Sequence, residues 1–235
     1  HAAARKHINL AEENPSKAVE INVVGSLNVI KASIRAEVPL TIGISTDKAC
    51  NPDSVYGYSK RMMEYMFNQH HNIKTKFICT RFANIANSNG SVIPYWLSLA
   101  EKKEPLKLTD PNMNRLMFSA RDSSLLIHKA IEYSKMDNHF ILCKKMKTVN
   151  MFDLAKVIQD DIIIVGKRPG EKLNETLISE KELEYTYFTE EMGDYIFILT
   201  DKISSDDKKL KTEHSSATAD KMTIDEIKQL IWEKK

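Results

Sequence analysis

Apolar and polar positions along this chain repeat with two periods, and the switches between them mark the elements. From Asn14-Pro15 to about Ala36, the residues Ala18, Ile21, Val24, Leu27 and Ala32 recur near the helical period, widened by Val23, Val29 and Ile30. Asn14 supplies an N-cap and Pro15 suits a first helical position, so the stretch predicts a helix covered on both sides. Leu40-Thr41-Ile42-Gly43-Ile44 is a short apolar run with β-branched residues, the pattern of a buried parallel strand. The polar segment Ser45 to Ser54 follows. Val55 to about Asn68 predicts a second helix, with Met62, Tyr65 and Met66 three and four apart.

The alternation continues downstream. Phe77 to Phe82 predicts a strand, Asn84 to Gly90 a polar loop, Val92 to about Lys102 a helix and Leu106 to Thr109 a short strand. Arg121 to Lys135 predicts a helix, Phe140-Ile141-Leu142 a strand and Phe152–Ile158 a short helix. Asp161 to Val165 predicts a strand running into the turn segment KRPGEK. Thr223 and Glu226 stand in capping-box spacing at the start of a C-terminal helix that reaches Trp232. The polar stretch Asp201 to Lys221 is expected to be a loop or the flank of missing residues. A strand begins almost directly after the helix that ends before Gln159, which leaves room for a gap there. Strand and helix alternate without an internal repeat, so the class is α/β with a mostly parallel sheet.

Composition narrows the function. Of 235 residues, 42% are hydrophobic and 28% charged, which excludes a mostly disordered chain. The net charge of +2 gives no reason to expect nucleic acid as a partner. No apolar run approaches the ~20 residues of a membrane helix, so no membrane partner is expected either. Cys50, Cys79 and Cys143 lie far apart without CxxC spacing; neither a disulfide framework nor a metal site is expected, and a reducing cytoplasm fits. HAAARKH is followed by no apolar core and does not read as a signal peptide. The chain opens at His1 and holds seven glycines, so it is expected to be a piece of a larger protein.

Ligands of open α/β sheets bind at the carboxyl ends of strands, which directs attention to Ser45, Thr46, Asp47 and Lys48 after the strand 40–44. Tyr56 and Lys60 follow, four apart and therefore on one helix face. A neighbouring cation favours the phenolate of a Tyr, whose ordinary pKa is ~10, so this pair can act as a general base on a hydroxyl. YxxxK alone arises by chance in many helices; the strand-end hydroxyl about ten residues upstream gives it weight.

The arrangement resembles the extended short-chain dehydrogenase/reductases. Within them it is similar to the UDP-N-acetylglucosamine 4,6-dehydratases, especially the C5-inverting branch that feeds pseudaminic acid and capsular sugars. The resemblance is carried by HAAARKH (1–7), NPSKAVEINVVGSLNVI (14–30), ISTDKACNPDSVYGYSK (44–60), RFANIANSNGSVIP (81–94), TDPNMNR (109–115) and RPGEKLNE (168–175), with MGDY (192–195) in the tail. It implies a Rossmann-like, doubly wound parallel sheet: residues 1–150 as the C-terminal portion of a dinucleotide-binding domain, with substrate-domain insertions around 84–118, and residues 151–235 as a substrate-binding part. It also implies an enzyme that is a homo-oligomer, dimer or hexamer, built through the helices of residues 15–36 and 55–68.

The resemblance assigns roles by position. Tyr56 would take the proton of the sugar 4-hydroxyl while hydride leaves C4 for a nicotinamide, and Lys60 would lower the Tyr pKa and hold the nicotinamide ribose. Thr46 would hydrogen-bond the 4-oxygen, Lys48 would remove the C5 proton and Asp47 would protonate the departing 6-hydroxyl. The cofactor, NADP with NAD as the alternative, would lie along Ala2, Ile44 and Ser45, with Ile85, Ala86, Asn87, Ser88 and Asn89 near the nicotinamide. A UDP-sugar would be held by Lys6, Asn84, Thr109, Arg115, Arg168 and Glu171. Without the other motifs, RPGEK reads as a Pro-Gly turn with solvated charges. His1 and Asn22 read as structural, His70 and His71 as solvated, and Met62, Met63 and Met66 as core or subunit interface.

Departures from the family pattern limit what is implied. The glycine-rich TGGxGxxG turn that cradles the pyrophosphate is absent from these 235 residues. Three βα units, on the order of 90 residues, are expected before His1. Ala83 and Ala86-Asn87 stand where glycines are usual, Tyr58 where Ala is frequent, Asn114 for Thr, Leu116 for Phe and Asn174 for His. The alternatives are a related epimerase or C5-retaining dehydratase, or a non-catalytic nucleotide-sugar-binding module.

Overall fold

The computed structural model describes residues 1–70, 74–135, 139–168, 170–188, 193–202, 205 and 208–232. His71, Pro169, Met192 and part of the 201–221 stretch lie outside the described residues. The chain forms two compact units, one of His1–Phe82, Leu125–Lys145 and Thr176–His214, the other of Ala83–Ser124, Met146–Glu175 and Ser215–Lys235.

The first unit is built on a five-stranded sheet in the order Leu40–Thr46, Lys76–Phe82, Phe140–Lys144, Tyr195–Leu199, Thr186–Tyr187. The first three strands are parallel: Leu40 to Thr46 run beside Lys76 to Phe82, and Cys79 and Thr80 face Ile141 and Leu142. The last two are antiparallel, with Phe197 opposite Leu142 and Thr186 opposite Ile198. An α/β fold with a mostly parallel sheet and an antiparallel edge is a common doubly wound arrangement. The predicted strands became parallel because helices cover them. Helix Val55–Gln69 sets Phe67 edge-on to Phe77, ring centroids 5.6 Å apart, and Leu126 and Ala130 of helix Ala120–Tyr133 are buried.

The predicted 15–36 helix is interrupted. Pro15–Val19 is α-helical, Glu20–Val24 makes a π-turn, and Gly25–Arg35 resumes the α-helix. Asn14 caps the start by accepting from the Lys17 N–H at 3.1 Å. The π-turn places Asn22 inward, where its Oδ1 accepts from the Arg5 N–H at 2.7 Å and its Nδ2 donates to Ser59 Oγ at 2.9 Å. Helix Ile8–Glu13 has a single buried residue, Ala11, and so left no periodic signal.

The second unit packs Trp96, Leu106, Leu108, Leu154, Ile227 and Ile231 into one core. Leu106–Leu108 pairs in parallel with Ile162–Ile164, and Asn114–Phe118 pairs antiparallel with Thr148–Asn150. Within Asp201 to Lys221, expected to be a loop, the described residues include the strand His214–Ser215, and Lys221 bridges to Thr148. The C-terminal helix Ile224–Trp232 has the expected capping box: Thr223 N–H donates to Glu226 at 2.8 Å and Glu226 N–H to Thr223 Oγ1 at 3.3 Å. No helix among the described residues is long and apolar enough to cross a membrane.

Asn87 explains one departure from the glycine pattern. It sits at φ 57°, a left-handed conformation that Asn tolerates better than most side chains. Its Nδ2 also donates to the carbonyls of Leu230 and Ile231, each at 3.1 Å, in the last turn of the C-terminal helix. Asn87→Ala is expected to lower the stability of this unit by about 2 kcal/mol, from lost bonds and backbone strain. Asn87→Gly should lose less, because glycine carries no strain at that φ; equal losses in urea unfolding would contradict this division.

Candidate active site

Strand Leu40–Thr46 ends at Thr46, and the chain turns immediately into the 3₁₀ turn Asp47–Ala49. Asp47 is 1% exposed. Its Oδ1 accepts from Thr46 Oγ1 at 2.9 Å, Lys48 N–H at 2.9 Å and Lys48 Nζ at 3.1 Å. Its Oδ2 is buried and has no hydrogen-bond partner among the described residues. Buried polar atoms are nearly always paired, which sets this oxygen beside the strand end apart.

The helix carrying Tyr56 and Lys60 is held tightly against this turn. Ser54 caps it by accepting from the Gly57 N–H at 3.2 Å. A Cβ at Gly57 would lie 2.5 Å from the Lys48 carbonyl oxygen, so only glycine permits this approach. The Tyr56 phenol hydrogen-bonds the Thr46 side chain. Burial holds the phenol above its usual pKa; Lys48 and Thr46 counter that rise, and Asp47 adds to it. Lys60, one turn on, is 2% exposed and donates to Met63 Sδ at 3.1 Å. Burial lowers its pKa to about 8, against the opposing influence of Cys79 and Glu64. Gly57→Ala is expected to push the helix off the Lys48 carbonyl and slow turnover about a hundredfold, since misplacement by about 1 Å can cost that much. Wild-type kcat in Gly57→Ala would show that the close approach is dispensable.

Beneath the strand end lies a buried network that the sequence reading did not include. Arg81 is 0% exposed and pairs with Glu64 at 2.8 and 2.9 Å and with Glu182 at 2.9 and 3.1 Å. It also donates to the Leu177 carbonyl at 2.7 Å. Arg61 joins Glu64 at 3.1 Å and Glu182 at 2.8 Å, and Ser45 Oγ donates to Glu64 at 2.7 Å. Burial alone would lower the Arg81 pKa, but Glu64 and Glu182 hold it well above normal. Burial alone would raise Glu182, but Arg81 holds it well below the usual carboxylate range.

The expected residues fall as follows. In the first unit, Thr46, Asp47, Lys48 and Tyr56 are gathered, with Lys60 a turn away. Ala2 and Lys6 are exposed, and the Ile44 N–H donates to the His1 carbonyl at 3.0 Å. The Ser45 hydroxyl is turned into the core toward Glu64. His1 Nε2 lies 3.0 Å from Ser26 Oγ. His70 ends its helix with Nδ1 2.8 Å from the Met66 carbonyl. Met63 is buried, whereas Met62 is exposed.

In the second unit, Asn84 Nδ2 donates to the Leu116 carbonyl at 3.1 Å, Ile85 pairs with Phe118, and Ala86 is buried. Ser88 accepts from the Ser91 N–H at 3.0 Å, and Asn89 follows in the same loop. Thr109 Oγ1 lies 3.5 Å from Met113 Sδ. Arg115, Arg168 and Glu171 come together. Arg115 donates to the carbonyls of Asn114, Lys172 and Leu173 and lies 4.0 Å from Glu171. Glu171 and Arg168 close a turn, with Arg168 N–H donating to Glu171 at 3.2 Å and Glu171 N–H to the Arg168 carbonyl at 3.1 Å. Two departures from the family pattern meet here: Asn114 Nδ2 donates to Asn174 Oδ1 at 3.1 Å.

Fold and constellation define an extended short-chain dehydrogenase/reductase. Residues 1–198 match the polysaccharide biosynthesis protein family, and the chain belongs to it. An "uncharacterized membrane protein" of Methanocaldococcus jannaschii is 36% identical over 250 residues, covering 99% of this chain and 73% of that protein. A UDP-N-acetylglucosamine 4,6-dehydratase (inverting) of Campylobacter jejuni is 36% identical over 194 residues, covering 80% of this chain. The chain spans 58% of the length of that relative. Among solved structures, Pen from Bacillus thuringiensis superposes with a TM-score of 0.88 at 27% identity, covering 99% of this chain and 73% of that one.

Proposed function

We propose that this chain carries the catalytic portion of a lyase that converts UDP-N-acetylglucosamine to a UDP-4-keto-6-deoxy-N-acetylhexosamine with inversion at C5. The Campylobacter relative of that activity supports the substrate. The observation that carries the reaction type is the divided Asp47 carboxylate, one oxygen saturated by three donors and the other buried and unpartnered beside Lys48. Elimination of water needs an acid and a base on adjacent carbons, and Asp47 and Lys48 supply two such groups side by side.

A nicotinamide cofactor, when bound, supplies reversible hydride transfer at the sugar. The donor set of the first unit fits it: a buried ammonium on Lys60, one turn from the Tyr56 phenol and on the helix packed against the Ile44–Thr46 strand end, suits ribose hydroxyls. NADP is the preferred form, with NAD as the alternative. Tyr56 takes the proton of the sugar 4-hydroxyl, and Thr46 orients that oxygen. Lys48 takes the C5 proton once C4 is a carbonyl, because the carbonyl acidifies it. Asp47, protonated by transfer from Lys48 Nζ across their 3.1 Å ion pair, gives that proton to the departing 6-hydroxyl, and the transfer leaves Lys48 neutral to act as the base. Reprotonation of C5 on the opposite face completes the inversion. Lys6, Asn84, Thr109, Arg115, Arg168 and Glu171 would hold the nucleotide sugar, the arginines by charge-assisted bonds to diphosphate. Exposed Val19, Val24, Tyr58, Met62 and Tyr65 support a homo-oligomer, and three buried free thiols suit a reducing cytoplasm.

Incubating the full-length, cofactor-loaded protein with UDP-N-acetylglucosamine in deuterated water tests this reading. Deuterium at C5 and a new C6 methyl signal are expected. A C4 epimer without a methyl signal would make the protein an epimerase, and no change at all would leave a binding module.

A further inference from the structure

Glu64 shares a helix with Lys60, one turn further from Tyr56, and is 1% exposed. Its two oxygens are fully divided. One accepts from Ser45 Oγ at 2.7 Å and Arg81 Nε at 2.9 Å; the other accepts from an Arg81 terminal nitrogen at 2.8 Å and from Arg61 at 3.1 Å. Ser45 immediately precedes Thr46 and Asp47. Successive strand residues face opposite ways, so anchoring the Ser45 side chain in the core sets the rotation at which Thr46 leaves the strand. Arg81 belongs to the neighbouring parallel strand, so one carboxylate ties together two strands and the helix that bears the proposed base. Three buried charges and a partly buried fourth are a poor way to gain stability compared with apolar packing, and buried ionic groups are best attested as devices that fix registry.

We infer that Glu64 is a positioning residue: held by Arg81 and Arg61 and bonded to Ser45, it fixes the strand end presenting Thr46 and Asp47 against the helix bearing Tyr56 and Lys60. Only the kinetic part of its test rests on the dehydratase reading. Full-length, cofactor-loaded enzyme is compared with Ser45→Ala, Glu64→Gln and the double variant. Ser45→Ala leaves every buried charge paired, so it should fold even where Glu64→Gln does not. The expected result for Ser45→Ala is a fall in kcat of about tenfold with KM within twofold, the signature of misplaced catalytic groups. The double variant should be no slower than Glu64→Gln alone. Amide hydrogen exchange should speed up over residues 45–49 and 56–60 but not over 92–101. A raised KM with unchanged kcat, multiplicative losses in the double variant, or unchanged exchange in Ser45→Ala would each overturn the inference. If the wild type turns over no sugar nucleotide, the functional reading fails, and the exchange result alone decides the role of Glu64.

Discussion

Replacing Lys48 with Ala is expected to slow methyl formation from UDP-N-acetylglucosamine by about 10²–10⁴-fold, the usual contribution of a general base. The C5 deuterium signal should disappear in parallel, because both events need the same proton removed. The fold should survive. The Lys48 side chain is only partly buried, and without it Asp47 Oδ1 keeps Thr46 Oγ1 and the backbone N–H of residue 48, so no further acceptor is stranded. Lys48→Arg separates the two roles Lys48 plays. A guanidinium can keep the ion pair with Asp47, but it stays protonated and cannot accept a proton. If Lys48 is the base, Arg should be about as slow as Ala. If it only orders the Asp47 carboxylate, Arg should restore most of the rate, and the proposed base is wrong.

What the sequence disclosed follows from how local each signal is. The helix starts at Asn14-Pro15 and Thr223 were legible because capping is settled within four residues. Strands Leu40–Thr46 and Lys76–Phe82 were legible because burial on both faces writes an apolar run. Strands Asn114–Phe118 and Thr176–Ile178 owe their existence to partners distant in sequence, and their short patterns were not separable from loop, whereas the apolar run of Tyr195–Leu199 was a usable sign that was passed over. The π-turn at Glu20–Val24 also escaped, since its purpose is to aim Asn22 at Arg5 and Ser59, neither of which is near in sequence. The strand end and its YxxxK partner stood out by spacing and family resemblance. The support beneath them did not. Arg81 left one usable sign, a lone charge inside an apolar strand, and Glu64 left another, a carboxylate four residues after Lys60 on the same helix face. Glu182, more than a hundred residues beyond Glu64 in the chain, left none.

Arg81→Ala should destabilise the first unit by about 3–5 kcal/mol, the cost of breaking a buried ion pair and leaving charge behind. Against a typical total of about 5–15 kcal/mol, that is enough to unfold a marginal domain. The loss arises because Glu64 and Glu182 would share Arg61 as their remaining cation in the network. Arg81→Met distinguishes charge from packing: it restores volume and no charge, so it should recover little of the loss, whereas a packing origin predicts substantial recovery. Acid separates the variants further. In the wild type, Glu182 lies well below its ordinary value of 4.5, so its stabilising contribution is present above that pH and fades as pH falls toward the folded-state value. In Arg81→Ala, Glu182 keeps its burial and loses Arg81, the main influence holding its carboxyl down, so its folded-state value rises and lowering the pH relieves the penalty. The difference in urea midpoint between wild type and variant should therefore narrow on going from pH 7 to pH 4. A constant or widening difference would mean that Arg81 supports the strand by shape and not by neutralising its two carboxylates.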